Sequence, residues 1–295
     1  MSGTREIKNR INSVRDTQKI TNAMYLISST KLRKARKQLE DTEPYFFAMQ
    51  STIQRLLRHL PDLDSIYLDE GEDVPEDKKV TAVLVITADK GLAGAYNHNV
   101  IRGLDELMKT KRHAKLFVVG EVGRHYFDVH KIPIEETFKY TAQNPSLHRA
   151  RMITEKLLEL YQSREIHELY IQYTSMKNSM ESESVGAKLL PLKTGIESVH
   201  IPSEVPQEEF IMSPSPEDVV NNVLPNYITG YIYSALVESF CSEQNSRMLA
   251  MQSANKSAND ILHDLSIQYN RVRQSIITQE ITEVSSGAKA IRREN

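Results

Sequence analysis

The residues best suited by type to do chemistry lie in ITADKGLAGAYN, residues 86–97, where Lys90, Gly91 and Gly94 follow an apolar run. Glycines let backbone amides come close to a phosphate, and a lysine after them neutralises it. That chemistry needs GxxxxGK followed by Ser or Thr at the start of a helix. Here the lysine precedes both glycines, and GxGxxG is absent too. The segment nonetheless ends what reads as a buried strand, the place where α/β proteins take ligands. A small-ligand site and a tight strand-to-helix turn, with Gly91 and Gly94 as structural turn residues, both remain open. The misplaced lysine favours the turn.

Other constellations are weaker. The nine histidines are scattered, without HExxH, GxSxG or an acidic metal loop. His125 and His130 are five apart on an expected helix and so point in different directions. Cys241 is the only cysteine, which excludes an internal disulfide, argues against a cysteine-based zinc site and fits a reducing, cytosolic compartment. No catalytic residue, metal ligand or cofactor site is expected. The start, MSGTREIKNR, has no apolar stretch behind its charges, and no segment approaches 18 apolar residues, so neither export nor a membrane span is expected.

The elements around the loop follow two periodicities. From Thr4 to about His59 apolar residues recur at helical spacing in three groups: Ile7, Ile11, Val14; Ile20, Met24, Ile27; Leu32, Ala35, Leu39. The phase slips between groups, predicting a long helix with stutters, kinked or briefly interrupted at Pro44. A second long helix opens at SPSPED, with Ser215 as cap, Pro216 first in the helix and Asp218 completing a capping box. Within it Ala258, Leu262, Leu265, Tyr269, Val272 and Ile276 form a heptad seam. The helices would reach roughly 80 and 110 Å at about 1.5 Å per residue.

Between them VTAVLVIT (80–87), KLFVVG (115–120) and HELYIQYT (167–174) read as strands. Helices are expected near 98–110, 121–131 and 146–163, and KLLPL, ESVHI and EEFIM as shorter strands or edges. The alternation predicts a right-handed, mostly parallel α/β sheet. The domains are then 1–60, a coiled-coil helix; 61–79, an acidic linker; 80–214, the α/β domain; and 215–295, the second coiled-coil helix. A domain inserted between two such helices makes them antiparallel, and the second outruns the first by about 20 residues, leaving a seam that other subunits would have to enclose. The net charge of −2 hides an asymmetry: residues 1–40 hold ten Lys/Arg against three Asp/Glu, and residues 61–79 hold eight acids against two lysines.

Four segments resemble, in order along the chain, the gamma subunit of bacterial F-type rotary ATP synthases: EIKNRINSVRDTQKITNAM (6–24), ITADKGLAGAYN, SEQNSRMLAM (242–251) and ITQEITEVSSGAKA (277–290). Departures are mild: Ala88, Lys90 and Ala93 stand where the family's turn often has Ser, Arg and Cys. With one cysteine, the dithiol insert of chloroplast relatives is absent.

The resemblance implies an α/β domain of Rossmann-like type, with a mostly parallel sheet, flanked by a long antiparallel coiled coil. It implies a non-catalytic central-stalk rotor, one copy per complex, inside a hexamer of alpha and beta subunits. Its α/β foot would sit with an epsilon subunit on a membrane ring of c subunits, at the cytoplasmic face of the bacterial cell membrane. Met24 would lie where an acidic beta-subunit loop passes. Arg247, Gln274, Thr278 and Glu280 would be polar contacts to the surrounding subunits. Ile281, Val284, Ala288 and Ile291 would form a tip enclosed by the hexamer, kept slender by Gly287, Ala288 and Ala290. No cofactor, nucleic acid or direct membrane insertion is implied. Two rivals remain: a coiled-coil scaffold or nucleic-acid-binding protein using the basic first helix, and a nucleotide-binding enzyme using the 86–97 loop.

Overall fold

The computed structural model describes residues 2–294 except 60–64, 70, 72–73, 76, 139–141, 177–181, 193–211 and 213–214. ESVHI and most of EEFIM lie outside the described residues. In chain order the elements are α1 (Ser2–His59), β1 (Val80–Ile86), α2 (Tyr96–Lys109), β2 (His113–Val119), α3 (Glu121–Val129), β3 (Glu136–Phe138), α4 (Leu147–Gln162), β4 (Glu168–Met176), β5 (Ser182–Leu190) and α5 (Pro216–Glu294). The chain divides into two compact units, one of Met1–Ser28 with Met248–Asn295 and one of Ser29–Arg247.

The second unit contains the sheet, ordered β3-β2-β1-β4-β5, with every pairing parallel except β4 with β5. Alternation along β1 explains its continuous apolarity. Ala82, Leu84 and Ile86 face one core with Ile153 and Leu157 of α4, while Val83 and Val85 face another with Val100, Leu104 and Phe127 of α2 and α3. A strand buried on both faces cannot alternate with polar residues, and each such Leu or Ile contributes about 1.5–3 kcal/mol by burial. The first core also takes Ile53 and Leu57 from α1 and Val220, Leu224, Ile228, Ile232 and Leu236 from α5. The compact unit therefore extends well beyond residues 80–214.

KLL belongs to β5, an antiparallel edge strand longer than the sequence suggests, and β3 has three residues, too few to show a period. Neither proline stops its helix. α1 continues through Pro44 and α5 through Pro225, so the interruption expected at Pro44 does not occur. A helix-interior proline costs about 3 kcal/mol in isolation. Next to Pro44, Phe46 stacks on Tyr227 at 6.0 Å and meets Tyr231 edge-on at 5.5 Å, holding the two helices together where the backbone is weakened. At the start of α5 the Ser215 cap and Pro216 as first residue are as the sequence predicts: the Asp218 amide donates to Ser215 Oγ at 3.1 Å. The Asp218 carboxylate accepts from the Ser215 hydroxyl at 3.0 Å, a side-chain pair rather than the backbone bond of a capping box.

In the other unit the α5 seam is the predicted one. Ala258 and Leu265 are buried, and Leu262, Tyr269, Val272 and Ile276 are half-buried. On α1 the expected stutter is corrected. The side chains turned inward are Thr4, Ile7, Ile11, Val14, Gln18, Thr21, Tyr25 and Ser28, an unbroken alternation of three and four. Ile20 and Ile27, assigned to the seam by their apolarity, are 62% and 56% exposed. Polar residues hold the seam because α5 offers them partners. Gln18 donates through Nε2 to Asn259 Oδ1 at 2.7 Å, and Thr21 donates through its hydroxyl to Asn255 Oδ1. Residue numbers fall on one helix as they rise on the other, so the pair is antiparallel. At 1.5 Å per residue on both helices this register brings Ser2 level with about residue 275. Every described side chain beyond Ile276 is exposed.

Candidate functional site

At the carboxyl end of β1 the chain is tied down residue by residue. The Thr87 amide and hydroxyl both donate to the Val119 carbonyl at 2.8 Å, and the Gly123 amide donates to Thr87 Oγ1 at 3.0 Å, locking β1 to the start of α3. The Ala88 amide donates to Asn97 Oδ1 at 2.9 Å, and the Glu121 amide to Asp89 Oδ1 at 3.3 Å. The turn reverses at Leu92 and Gly94, with φ of 63° and 56°. Gly94 is thus a structural turn glycine in the strict sense. Gly91 is not among the positive-φ residues, and a Cβ there would meet nothing within 4 Å. Leu92 stands at the apex with 63% of its surface exposed.

The strand order places the switch point of the sheet between β1 and β4, and in such sheets the crevice beyond the strand ends receives the ligand. Here α5 supplies groups to both sides of it. Ser242 donates to the Thr174 carbonyl near the end of β4 at 3.2 Å. Arg247 donates to the Lys90 carbonyl at 2.9 Å and to the Gly91 carbonyl at 3.1 and 3.3 Å, just after β1. Its remaining fork donates to Glu243 Oε1 at 2.6 Å, an i,i+4 ion pair in which both side chains are buried. Burial pushes the Glu243 carboxyl up, against the pull of Arg247. Burial and the nearby Glu243 also raise the phenol of Tyr96. The carbonyls of Lys90 and Gly91 point at a guanidinium, the wrong polarity for cradling phosphate, which needs convergent amides.

The expectation that Arg247 faces a partner subunit is therefore replaced: it is 7% exposed, and its donors are taken by its own chain. The other predicted contacts lie in the coiled-coil unit. Met24 is half-buried beside the seam, and Gln274, Thr278 and Glu280 are exposed on α5. Ile281 and Val284 are 64% and 73% exposed, and Ala288 is exposed too. The side chains of Gly287, Ala290 and Ile291 lie outside those described. His130 Nδ1 lies 2.7 Å from the Tyr126 carbonyl and its ring stacks on Tyr126 at 4.1 Å, so this histidine is occupied locally. Among the described residues no group of three or more His, Cys, Asp or Glu could hold a metal ion, and no helix is long and apolar enough to cross a membrane.

A second polar cluster, at the opposite end of the sheet, was not foreseen. Glu168 receives Lys111 Nζ at 2.5 Å, Lys188 Nζ at 3.0 Å and the Thr81 hydroxyl at 3.0 Å, beside a crevice of about 360 Å³. Burial pushes its carboxyl up, but the two lysines and Thr81 outweigh burial and hold it down at about 2. The lysines come from separate elements, so no local spacing announces the cluster. The α5 run SEQNSR, buried apart from the half-buried Ser246, carried the better signal: polar residues in succession where a helix surface would show an apolar stripe on one side only.

Comparison with known proteins agrees with this architecture. A family model described as ATP synthase matches residues 3–291. The ATP synthase gamma chain of Acetivibrio thermocellus is 43% identical over 99% of this chain and 100% of its own length. That of Ruminiclostridium cellulolyticum is 42% identical over 97% and 98%. Among solved structures, a chain of the Euglena gracilis mitochondrial ATP synthase, OSCP/F1/c-ring in rotational state 3, shares the fold with a TM-score of 0.70 at 16% identity. It covers 98% of this chain and 95% of that one. A match of this identity running from end to end of both chains, on a sheet whose ligand crevice is filled by its own long helix, means that this chain belongs to the ATP synthase gamma-chain family.

Proposed function

We propose that the chain is the central-stalk rotor of an ATP synthase, without catalytic side chains of its own, carrying ion-driven rotation to catalytic beta subunits that surround its coiled coil. The observation that carries this reading beyond family membership is the stretch of α5 past Ile276. Ile277, Ile281 and Val284 keep apolar side chains in solvent where the register leaves no α1 residue to cover them. A helix of this kind is stabilised by what encloses it. Partners in the reading are alpha and beta subunits as a hexamer, an epsilon subunit and a ring of c subunits, with one rotor per complex. The complex would sit at the cytoplasmic face of a bacterial membrane, with this chain peripheral to the bilayer and serving ion transport and ATP synthesis.

The mechanism is one of differential affinity. A ligand shifts an equilibrium only by the difference in its affinity for the two states. Moving a beta subunit from a 1:99 to a 99:1 ratio of conformations takes about 5.5 kcal/mol. A hydrogen bond to a charged group contributes about 1.5–3 kcal/mol, so about two to four contacts per orientation are needed. Gln274 and Thr278, exposed one turn apart on α5, Glu280, exposed on the other side of the same turn as Thr278, and Met24 on α1 are suitably placed. The nucleotide-enzyme reading loses its site to Ser242 and Arg247.

The test is co-expression of the tagged chain with alpha and beta subunits from the same source. Capture of both in a fixed ratio of three each to one tagged chain, with ATP hydrolysis that the tagged chain alone lacks, is expected. Saturable nucleotide binding by the pure chain, or recovery of the chain free of alpha and beta, would overturn the reading.

A further inference from the structure

Seven consecutive residues of α5, Ser239–Asn245, have 8% or less of their surface exposed. Successive side chains on a helix are about 100° apart, so seven of them point all the way round the axis. A helix packed against one face of a sheet cannot do this, so at this level α5 is enclosed on every side. Five of the seven are polar, including Ser242, Glu243 and Gln244, and with Arg247 they lie across the crevice between the ends of β1 and β4. Apolar contact is non-directional and tolerates sliding and turning of one surface on another. Hydrogen bonds to fixed carbonyls do not, because they weaken steeply as the angle departs from linear.

We propose that Arg247, oriented by Glu243 and acting with Ser242, is a torque key: it fixes the angular position of α5 within the sheet unit so that torque entering the sheet passes into the helix without slip. Arg247 is a positioning residue, acting through the Lys90 and Gly91 carbonyls rather than on a partner subunit. It is also the last residue that α5 contributes to the sheet unit. Glu243 leaves the guanidinium one preferred orientation, since the same fork that meets the two carbonyls meets its carboxylate at 2.6 Å. Lysine would keep the charge at this position but present one point donor in place of a planar fork. The proposal rests on the rotor reading.

The experiment uses the complete complex in membrane vesicles, comparing Arg247→Lys and Glu243→Gln with the unaltered chain for ions pumped per ATP hydrolysed. Each is measured with the ion gradient collapsed and again against an imposed opposing gradient. A key is stressed in proportion to the torque it transmits. The expected result is near-normal hydrolysis without load, and at least about a twofold fall in ions pumped per ATP under load for both variants, with no further loss in the double variant because they serve one contact. Where Arg247→Lys does not assemble, Glu243→Gln is read on the same terms. Pumping unchanged under load would overturn the key, and so would a loss equal with and without load, which marks a general folding defect. A slowing of hydrolysis by Arg247→Lys with Glu243→Gln silent would also overturn it, by returning Arg247 to a partner contact. Failure of the unaltered chain to assemble with alpha and beta subunits would instead sink the rotor reading.

Discussion

Arg247 places its guanidinium against two main-chain carbonyls, and with that contact the glycines on either side of Leu92, Gly91 and Gly94, lose any role toward phosphate. What the turn requires of its glycines is conformational, and the two differ. Gly94→Ala, at φ 56°, should destabilise the chain by about 1–2 kcal/mol, whereas Gly91→Ala should be neutral or stabilising by up to about 1 kcal/mol, since a Cβ there has open space. Urea unfolding of the two variants side by side checks this, and equal losses would contradict it. Glu168 carries a pH dependence. Its carboxyl is held below the ordinary 4.5, at about 2, so its contribution is whole above about pH 4.5 and is lost as pH falls toward 2. With solvent at the crevice mouth screening the lysines, the contribution is about 1–2 kcal/mol. Glu168→Gln should accordingly unfold earlier than the unaltered chain at pH 7, with the gap narrowing near pH 2.5. The turn itself was legible because chemistry by motif is local, and a lysine on the wrong side of two glycines is visible in the sequence. The Arg247 and Glu168 partners were not, because they lie 156 and 57 residues away along the chain.

Helices and strands were readable where burial demands apolarity and obscure where polar pairing replaces it. β1 and the α5 seam are apolar because nothing polar could be satisfied there. The α1 seam passes through Gln18, Thr21 and Ser28, each of which looks like surface, while Ile20 and Ile27, which look like core, are exposed. The half-buried Thr21–Asn255 pair sets register at some cost in stability, as a buried polar residue does in other coiled coils. Replacing both by Leu should raise the stability of the coiled coil by about 1 kcal/mol or more and allow helices to pair in shifted registers. Cysteine crosslinking between 14 and 262 and between neighbouring offsets would read the shift, and a single register in the double variant would contradict it. Met24 lies beside this seam, half-buried. Under the rotor reading Met24→Lys adds a charge facing an acidic partner loop, with an attraction of about 1–3 kcal/mol that holds one orientation too long. Hydrolysis should continue while ions pumped per ATP fall, and undiminished pumping would count against that loop as the neighbour.

For the molecule as a whole, the decisive feature is a helix that continues after its own chain has stopped covering it. α5 runs to Glu294, whereas the register with α1 reaches only about residue 275, and Ile277, Ile281 and Val284 beyond it are 41%, 64% and 73% exposed. Deleting 288–295 should weaken assembly and lower torque without abolishing rotation, since Gln274, Thr278 and Glu280 precede the cut. Rotation assays on single complexes would show it, and complete arrest would place the essential contacts in the deleted residues. Amide hydrogen exchange over 277–286, measured in the free chain and in the assembled complex with the 258–276 seam as internal reference, tests the central claim most directly. Exchange at the tip should be fast in the free chain and slowed by orders of magnitude in the complex, while the seam, already paired with α1, changes far less. Tip amides that exchange equally fast in both states would contradict enclosure by other subunits, and with it the role of this chain as a shaft.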